Sequence, residues 1–226
     1  MSDKAHITYL FDPLCGWCYG ASPLLAQLAA LPNLIVTLAP TGLFSGTGTR
    51  PVDEQFAAFA WSNDVRIASL TGQRFTEDYH VQVLGGGGML DSGPATLAVT
   101  AVSLTEPSRE IDALKLIQEA RYVSGLNITD LPELRAILEH AGLKAASDRL
   151  ATPDAELLAA NRKRIERARL LMREFEAGGV PALIVDDGQR RALVKAHEMF
   201  GSAADLVARL SAIGSSRPLN IRQNQT

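Results

Sequence analysis

Cys15 and Cys18 are the two cysteines of a 226-residue chain, and only Gly16 and Trp17 lie between them. Thiols at this spacing can exchange disulfides, contribute to a metal site, or pack as small apolar residues. Exchange needs a thiolate that attacks at neutral pH and a second thiol close enough to resolve the mixed disulfide. A Cys-x-x-Cys pair at a helix N-terminus supplies both, because the unpaired backbone N–H groups and the positive end of the helix dipole favour the first thiolate. Cys15 is then the attacking residue and Cys18, one turn further in, the resolving one. Gly16 and Trp17 add no charge, and Trp17 offers an aromatic contact to a substrate chain. Structural zinc takes about four ligands. No second cysteine pair exists, and His6, His80, His140 and His197 are scattered, so no metal is expected.

Such a pair must be held by the right elements. His6 to Phe11 is short, β-branched and aromatic, a buried-strand pattern stopped by Asp12-Pro13. From Cys15 the residues Ala21, Leu24, Leu25, Leu28 and Leu31 fall at helical spacing until Pro32-Asn33, and Leu34 to Leu38 reads as a second strand. This is a βαβ unit whose helix opens on the cysteines, the context that the redox reading requires.

At the other end, Val180 to Val185, the turn Asp186-Asp187-Gly188 and Ala192 to Val194 form a hairpin. Ser202 with Asp205 makes a capping box before a helix carrying Leu206, Leu210 and Ile213. A βαβ half and a ββα half make an α/β thioredoxin-like fold. It is expected over residues 1–44 and 178–213, with 45–177 a large helical insertion and 214–226 a polar, disordered tail.

Within the insertion, helices are predicted from Asp53 to Ser69, Ser92 to Leu104, Ser108 to Val123 and Asp130 to His140. The last begins near Thr152 with Pro153 in its first position and runs to Ala177, its seam formed by Leu157, Asn161, Ile165, Ala168, Met172 and Phe175.

The run Phe11-Asp12-Pro13-Leu14-Cys15-Gly16-Trp17-Cys18-Tyr19-Gly20 resembles the active-site start of the DsbA-type thiol-disulfide oxidoreductases, in the branch described as predicted protein-disulfide isomerases. Pro23 resembles the proline that kinks the active-site helix. Gly179-Val180-Pro181 resembles the cis-proline loop, which the resemblance sets against the cysteines to align substrate backbone. Leu90 to Ala95 is similar to a segment of the helical insert, and the likeness extends over about residues 6 to 213. One position departs from the pattern: where the best-known members carry a buried acid, six residues before the first cysteine, this chain has Tyr9. Asp12 is the nearest acid, with capping the helix or ordering the turn as its alternatives.

Other signals point elsewhere only weakly. Gly85 to Gly88 lacks the Gly-Lys-Ser/Thr of a phosphate loop and reads as a flexible connection. Arg162, Lys163, Arg164, Arg167 and Arg169 are interrupted by Glu166 and read as a solvated helix face, and Phe56 and Trp61 as packing. With 22 Lys and Arg against 25 Asp and Glu, bulk charge selects neither nucleic acid nor an anionic membrane. No apolar run approaches the roughly 20 residues of a spanning helix, and the start lacks a signal-peptide pattern, so a cytoplasmic protein is expected.

The expected function is dithiol-disulfide exchange on protein or small-molecule thiols and disulfides, with an unknown redox partner and no cofactor. Whether it oxidises, reduces or isomerises is left open. The alternative is a glutathione-dependent transferase or isomerase of the kappa type, in which serine typically stands in place of the first cysteine.

Overall fold

Around β1 (Ala5–Phe11) the rest of the chain is arranged in the computed structural model, which describes residues 4–201 and 203–211. The strand leads through α1 (Gly16–Gly20) and α2 (Ser22–Ala29) to β2 (Leu34–Pro40), which pairs with it in parallel, Tyr9 opposite Leu38. One helix was expected here and two are present. Pro23 has no N–H to offer the Tyr19 carbonyl four residues back, so the helical ladder breaks near Ala21. The Gln73 side chain fills the gap by donating to the Tyr19 oxygen at 3.1 Å and to Ser22 Oγ at 2.8 Å.

Next come β3 (Arg50–Pro51), α3 (Glu54–Thr71), β4 (Met89–Leu90), α4 (Gly93–Thr105), α5 (Glu110–Tyr122), α6 (Leu131–His140), α7 (Lys144–Ala151) and α8 (Ala155–Glu174). Asp53 caps α3 by accepting from Phe56 N at 2.8 Å, and Gly72 ends it at φ 73°. The four helices expected up to His140 lie within two residues of their predicted ends. The last was misread: α7 was missed, and Pro153 precedes α8 instead of opening it. Asp154 takes the cap, its carboxylate accepting from Leu157 N at 2.7 Å. Of the expected seam, Leu157, Asn161, Ile165, Ala168 and Met172 lie on α8; Phe175 follows its last turn, and buried Leu171 joins the seam.

The chain returns through β5 (Ala182–Asp186) and β6 (Arg191–Val194) to α9 (Ala196–Gly201) and α10 (Ala203–Ser211). The sheet order is β2-β1-β5-β6, with β5 antiparallel to both its neighbours. Two strands from the start of the chain and two from its end thus form one sheet, a thioredoxin fold with a helical insertion. The capping Ser202, Ile213 and the tail from 214 lie outside the described residues.

β1 is buried along one face and, on the other, only at Leu10 near its end. Ile7, Tyr9 and Phe11 join the main core with α1, α2 and the inserted helices, while Leu10 faces Ala168 and Leu171 of α8. Each fully buried aliphatic side chain here contributes roughly 1.5–3 kcal/mol relative to exposure. α4 is the hub of the insertion: Ala95, Ala98, Val99, Ala101 and Val102 are wholly buried, small enough to let neighbouring helices approach on several sides.

Three minor signals of the sequence also find their places. Gly85 to Gly88 connects by a turn at its start, and Gly88 O accepts from Val52 N at 2.9 Å beside the β3–β4 pair. Of the basic residues on α8, Arg164 pairs with Glu110 and Arg169 donates to the carbonyls of Thr41 and Gly42, so only the others form a solvated face. Trp61 packs against the main core as expected, and it also stacks on His80 with ring centroids 4.1 Å apart.

Candidate active site

Cys15 holds the N-cap position of α1, with extended backbone (φ −87°, ψ 116°). Its N–H donates to Asp12 O at 3.1 Å, and its carbonyl accepts from Tyr19 N at 3.0 Å. The side chain is 7% exposed, against 1% for Cys18, which lies one turn inside among core residues. Both are free thiols. Burial pushes the Cys18 thiol well above its ordinary value, and its hydrogen bond with Cys15 and the charge there act in the same direction. An inner thiol that resists ionisation suits a group that acts only after the outer one has reacted.

The loop ahead of β5 closes on this pair. The Val180–Pro181 peptide bond is cis, and Cys15 Sγ lies 3.7 Å from the Val180 carbonyl oxygen, to which it can donate weakly. Trp17 is half-buried, tilted against Phe200 at 5.1 Å, with the Arg66 guanidinium 5.7 Å from its ring. The structure therefore brings Cys15, Trp17, Cys18, Val180 and Pro181 to one place.

Asp12 orders the turn and does not cap the helix. Its carboxylate accepts from Leu14 N (2.9 Å), Ser92 Oγ (2.7 Å) and Phe44 N (3.2 Å), tying the cysteine loop to the turn after β2 and to the start of α4. Burial raises its pKa, and these three bonds oppose the rise. Tyr9 is wholly buried beneath the pair, its hydroxyl donating to Cys18 O at 3.1 Å. Burial, followed by the charges of Cys18 and Cys15, pushes this phenol well up, so it keeps its proton.

Residues the sequence reading passed over complete the site. A cavity of about 230 Å³ opens beside Cys15, walled by Trp17, Phe44, Phe56, Asp64, Arg121 and Tyr122. Phe56, read as packing, thus faces the chemistry. Asp64 in α3 is 4% exposed, and its Oδ2 accepts from the Tyr79 hydroxyl at 2.9 Å. Burial pushes its carboxyl up to about 7, against the opposing pull of Tyr79 and the Arg121 charge. A Cβ on Gly16 would lie 2.4 Å from Asp64 Oδ1, so the glycine between the cysteines is what lets this carboxylate lie against their loop. Tyr122 ties its hydroxyl to Leu14 O at 2.8 Å, and Arg121 lies over the rings of Tyr79 and Tyr122. One signal was available: Asp64 is an acid on the stripe Ala57, Ala60, Asp64, Ile67, where an apolar residue belongs.

A family model described as a DSBA-like thioredoxin domain matches residues 6–207. Among solved structures, the cytosolic disulfide reductase DsbM from Pseudomonas aeruginosa is 32% identical, with 92% of this chain and 97% of that one covered and a TM-score of 0.80. The same reductase with GSH aligns at 32% identity and a TM-score of 0.77, covering 92% and 98%. A putative protein disulfide isomerase from Nitrosomonas europaea shares the fold at 23% identity and a TM-score of 0.76, covering 95% and 100%. No curated protein matches. No described helix is long and apolar enough to cross a membrane.

Proposed function

The chain belongs to the DSBA-like thioredoxin domain family and is a protein-disulfide oxidoreductase, and from that premise we propose that it works as a disulfide reductase recharged by a small thiol. Cys15 attacks a substrate disulfide, forming a mixed disulfide and releasing one substrate thiol. Cys18 then attacks Cys15 Sγ, freeing the second thiol and leaving the Cys15–Cys18 disulfide, which two equivalents of small thiol reduce. Val180 and Pro181 align the substrate chain, and Trp17 packs against it. The observation that carries this reading is the placement of Cys15 at the mouth of the cavity, 3.7 Å from Val180 O, with Cys18 sealed behind it. The reducing direction and the small thiol are supported by the 32% identical relative, a disulfide reductase with a structure that includes GSH.

Mass spectrometry with a disulfide peptide tests the roles. Cys18→Ser should accumulate a mixed disulfide at Cys15, and Cys15→Ser should form none. An adduct on Cys15→Ser, or none on Cys18→Ser, reverses or removes the assignment. Direction is tested by the reduction potential of the pair, expected between about −200 and −270 mV, the range from glutaredoxins to thioredoxin. A value near −120 mV would mark an oxidant instead. Reversible loss of both thiols on mild oxidation separates this reading from a kappa-type transferase, which needs no second thiol.

A further inference from the structure

The reduction just described produces a thiolate that must gain a proton beside the cavity at Cys15. Cys18 cannot supply it in the first step, since its own proton is held until it attacks. Five other acids lie close to the cysteines. Asp12 has its carboxylate taken up by Leu14 N, Phe44 N and Ser92 Oγ, and it does not line the cavity. Tyr9, Tyr79 and Tyr122 are phenols whose burial strengthens their hold on the proton. Asp64 remains. It lines the cavity with Cys15, presents Oδ1 on the Gly16 side, and is steadied through Oδ2 by Tyr79.

Resting on the reading of Cys15 as nucleophile, we propose that Asp64 is the general acid of the exchange, protonating the substrate sulfur that leaves as Cys15 attacks. The Cys15 thiolate forms a bond to one sulfur of R–S–S–R′, the S–S bond breaks, and R′–S⁻ departs with the electron pair. The Asp64 O–H passes its proton to that sulfur, giving R′–SH and a carboxylate, which regains a proton from water. When Cys18 gives up its proton to water and attacks Cys15 Sγ, the bond from Cys15 to the substrate sulfur breaks, and the same transfer from Asp64 turns the departing R–S⁻ into R–SH.

The surroundings suit this role. The groups facing Asp64 are Tyr79 from the short helical segment Tyr79–Leu84, Arg121 and Tyr122 from α5, Cys15 from the head of α1, and Arg50 from β3. Arg121 is 3% exposed, and its Nε has no hydrogen-bond partner among the described residues. Its charge lies near enough to favour the carboxylate left behind. Burial acts the other way and keeps the acid protonated up to about pH 7, where a thiolate whose thiol has an ordinary value near 8.5 is a stronger base than the carboxylate. Transfer from Asp64 to an alkyl thiolate therefore runs downhill.

The test is kcat/KM between pH 5.5 and 8.5 for a series of disulfides whose leaving thiols range from alkyl to aryl. For an alkyl leaving group the wild-type profile should carry a falling component near pH 7, and Asp64→Asn should lower the rate at pH 6 at least roughly tenfold and remove that component. The deficit should shrink as the leaving thiol becomes more acidic, because an aryl thiolate departs without a proton. Asp64→Glu should restore part of the rate. Tyr79→Phe, which deletes a bond that favours the carboxylate, should move the falling limb to higher pH and offers an independent route if the asparagine variant folds poorly. An equal loss across the series, or an unchanged profile in both variants, would overturn the inference. Each protein is also made with Cys18→Ser and checked for the Cys15 adduct, so failure of the underlying reading shows as a missing adduct, distinct from failure at Asp64.

Discussion

At the scale of single residues, the site is an exercise in holding protons. Cys18, Tyr9, Asp12 and Asp64 all have their pKa values raised by burial, and each would be harder to accommodate as an anion. The consequence for stability has a definite sign. The folded protein keeps the Asp64 proton to about pH 7, whereas the unfolded chain releases it near pH 4. Between those values the unfolded state binds fewer protons, so stability falls as pH rises, by up to about 1.4 kcal/mol per pH unit from this group. Urea denaturation at several pH values across this window should show a shallower decline for Asp64→Asn than for wild type. Parallel slopes would mean that Asp64 is ionised in the fold well below pH 7.

At the scale of elements, the decisive contact is α1 against α3. Two glycines on one side of α1 make it possible: Gly16 lies under Asp64, and a Cβ on Gly20 would meet Ile67 Cγ2 at 2.6 Å. That methyl group is attached directly to Cβ of a wholly buried side chain and cannot swing away. Gly20→Ala is expected to force the helices apart and destabilise the protein by roughly 1–3 kcal/mol, the usual cost of overpacking. Ile67→Ala alone leaves a cavity and costs roughly 2–5 kcal/mol. Because the added methyl occupies space the isoleucine vacates, the double variant should cost at least about 1 kcal/mol less than the sum of the singles, as read by a thermodynamic cycle from chemical denaturation. Strict additivity would show that α1 and α3 do not bear on one another here.

At the scale of the whole molecule, the sheet and the inserted helices are joined by α8. Arg164 pairs with Glu110 at the start of α5, and it also donates to Ser103 Oγ in α4 (2.8 Å) and to the Leu38 carbonyl in β2 (3.1 Å). One guanidinium thus links four elements. Burial raises the Glu110 carboxyl, and Arg164 opposes that rise. Removing the cation leaves a buried acid without its partner, so Arg164→Met should destabilise by roughly 3 kcal/mol, with Glu110→Gln recovering part of the loss. Trp17 and Trp61 report on α1 and α3, while far-UV ellipticity reports on all the helices. Their unfolding midpoints are expected to fall together in this variant. A drop in ellipticity with unaltered fluorescence would mean that the two parts unfold separately.

The sequence by itself determined the cysteine pair, its place at the start of a helix, the apolar strands at both ends of the chain and the helical character of the stretch between. These follow from local rules: side-chain period, caps, and the stops set by Pro13, Pro32 and Gly72. Where a local rule had two outcomes, the tertiary structure chose. Asp12 could cap a helix or order a turn, and Ser92, 80 residues away, fixed it as the anchor of the turn. The break at Pro23 became two helices because Gln73, 54 positions from Tyr19, was there to satisfy the freed carbonyl. Asp64, Tyr79 and Arg121 carry no motif and are spread over nearly 60 positions. Only the packing of α3 and α5 against the cysteine loop made them neighbours of Cys15, and only that burial turned an ordinary aspartate into an acid that holds its proton to about pH 7.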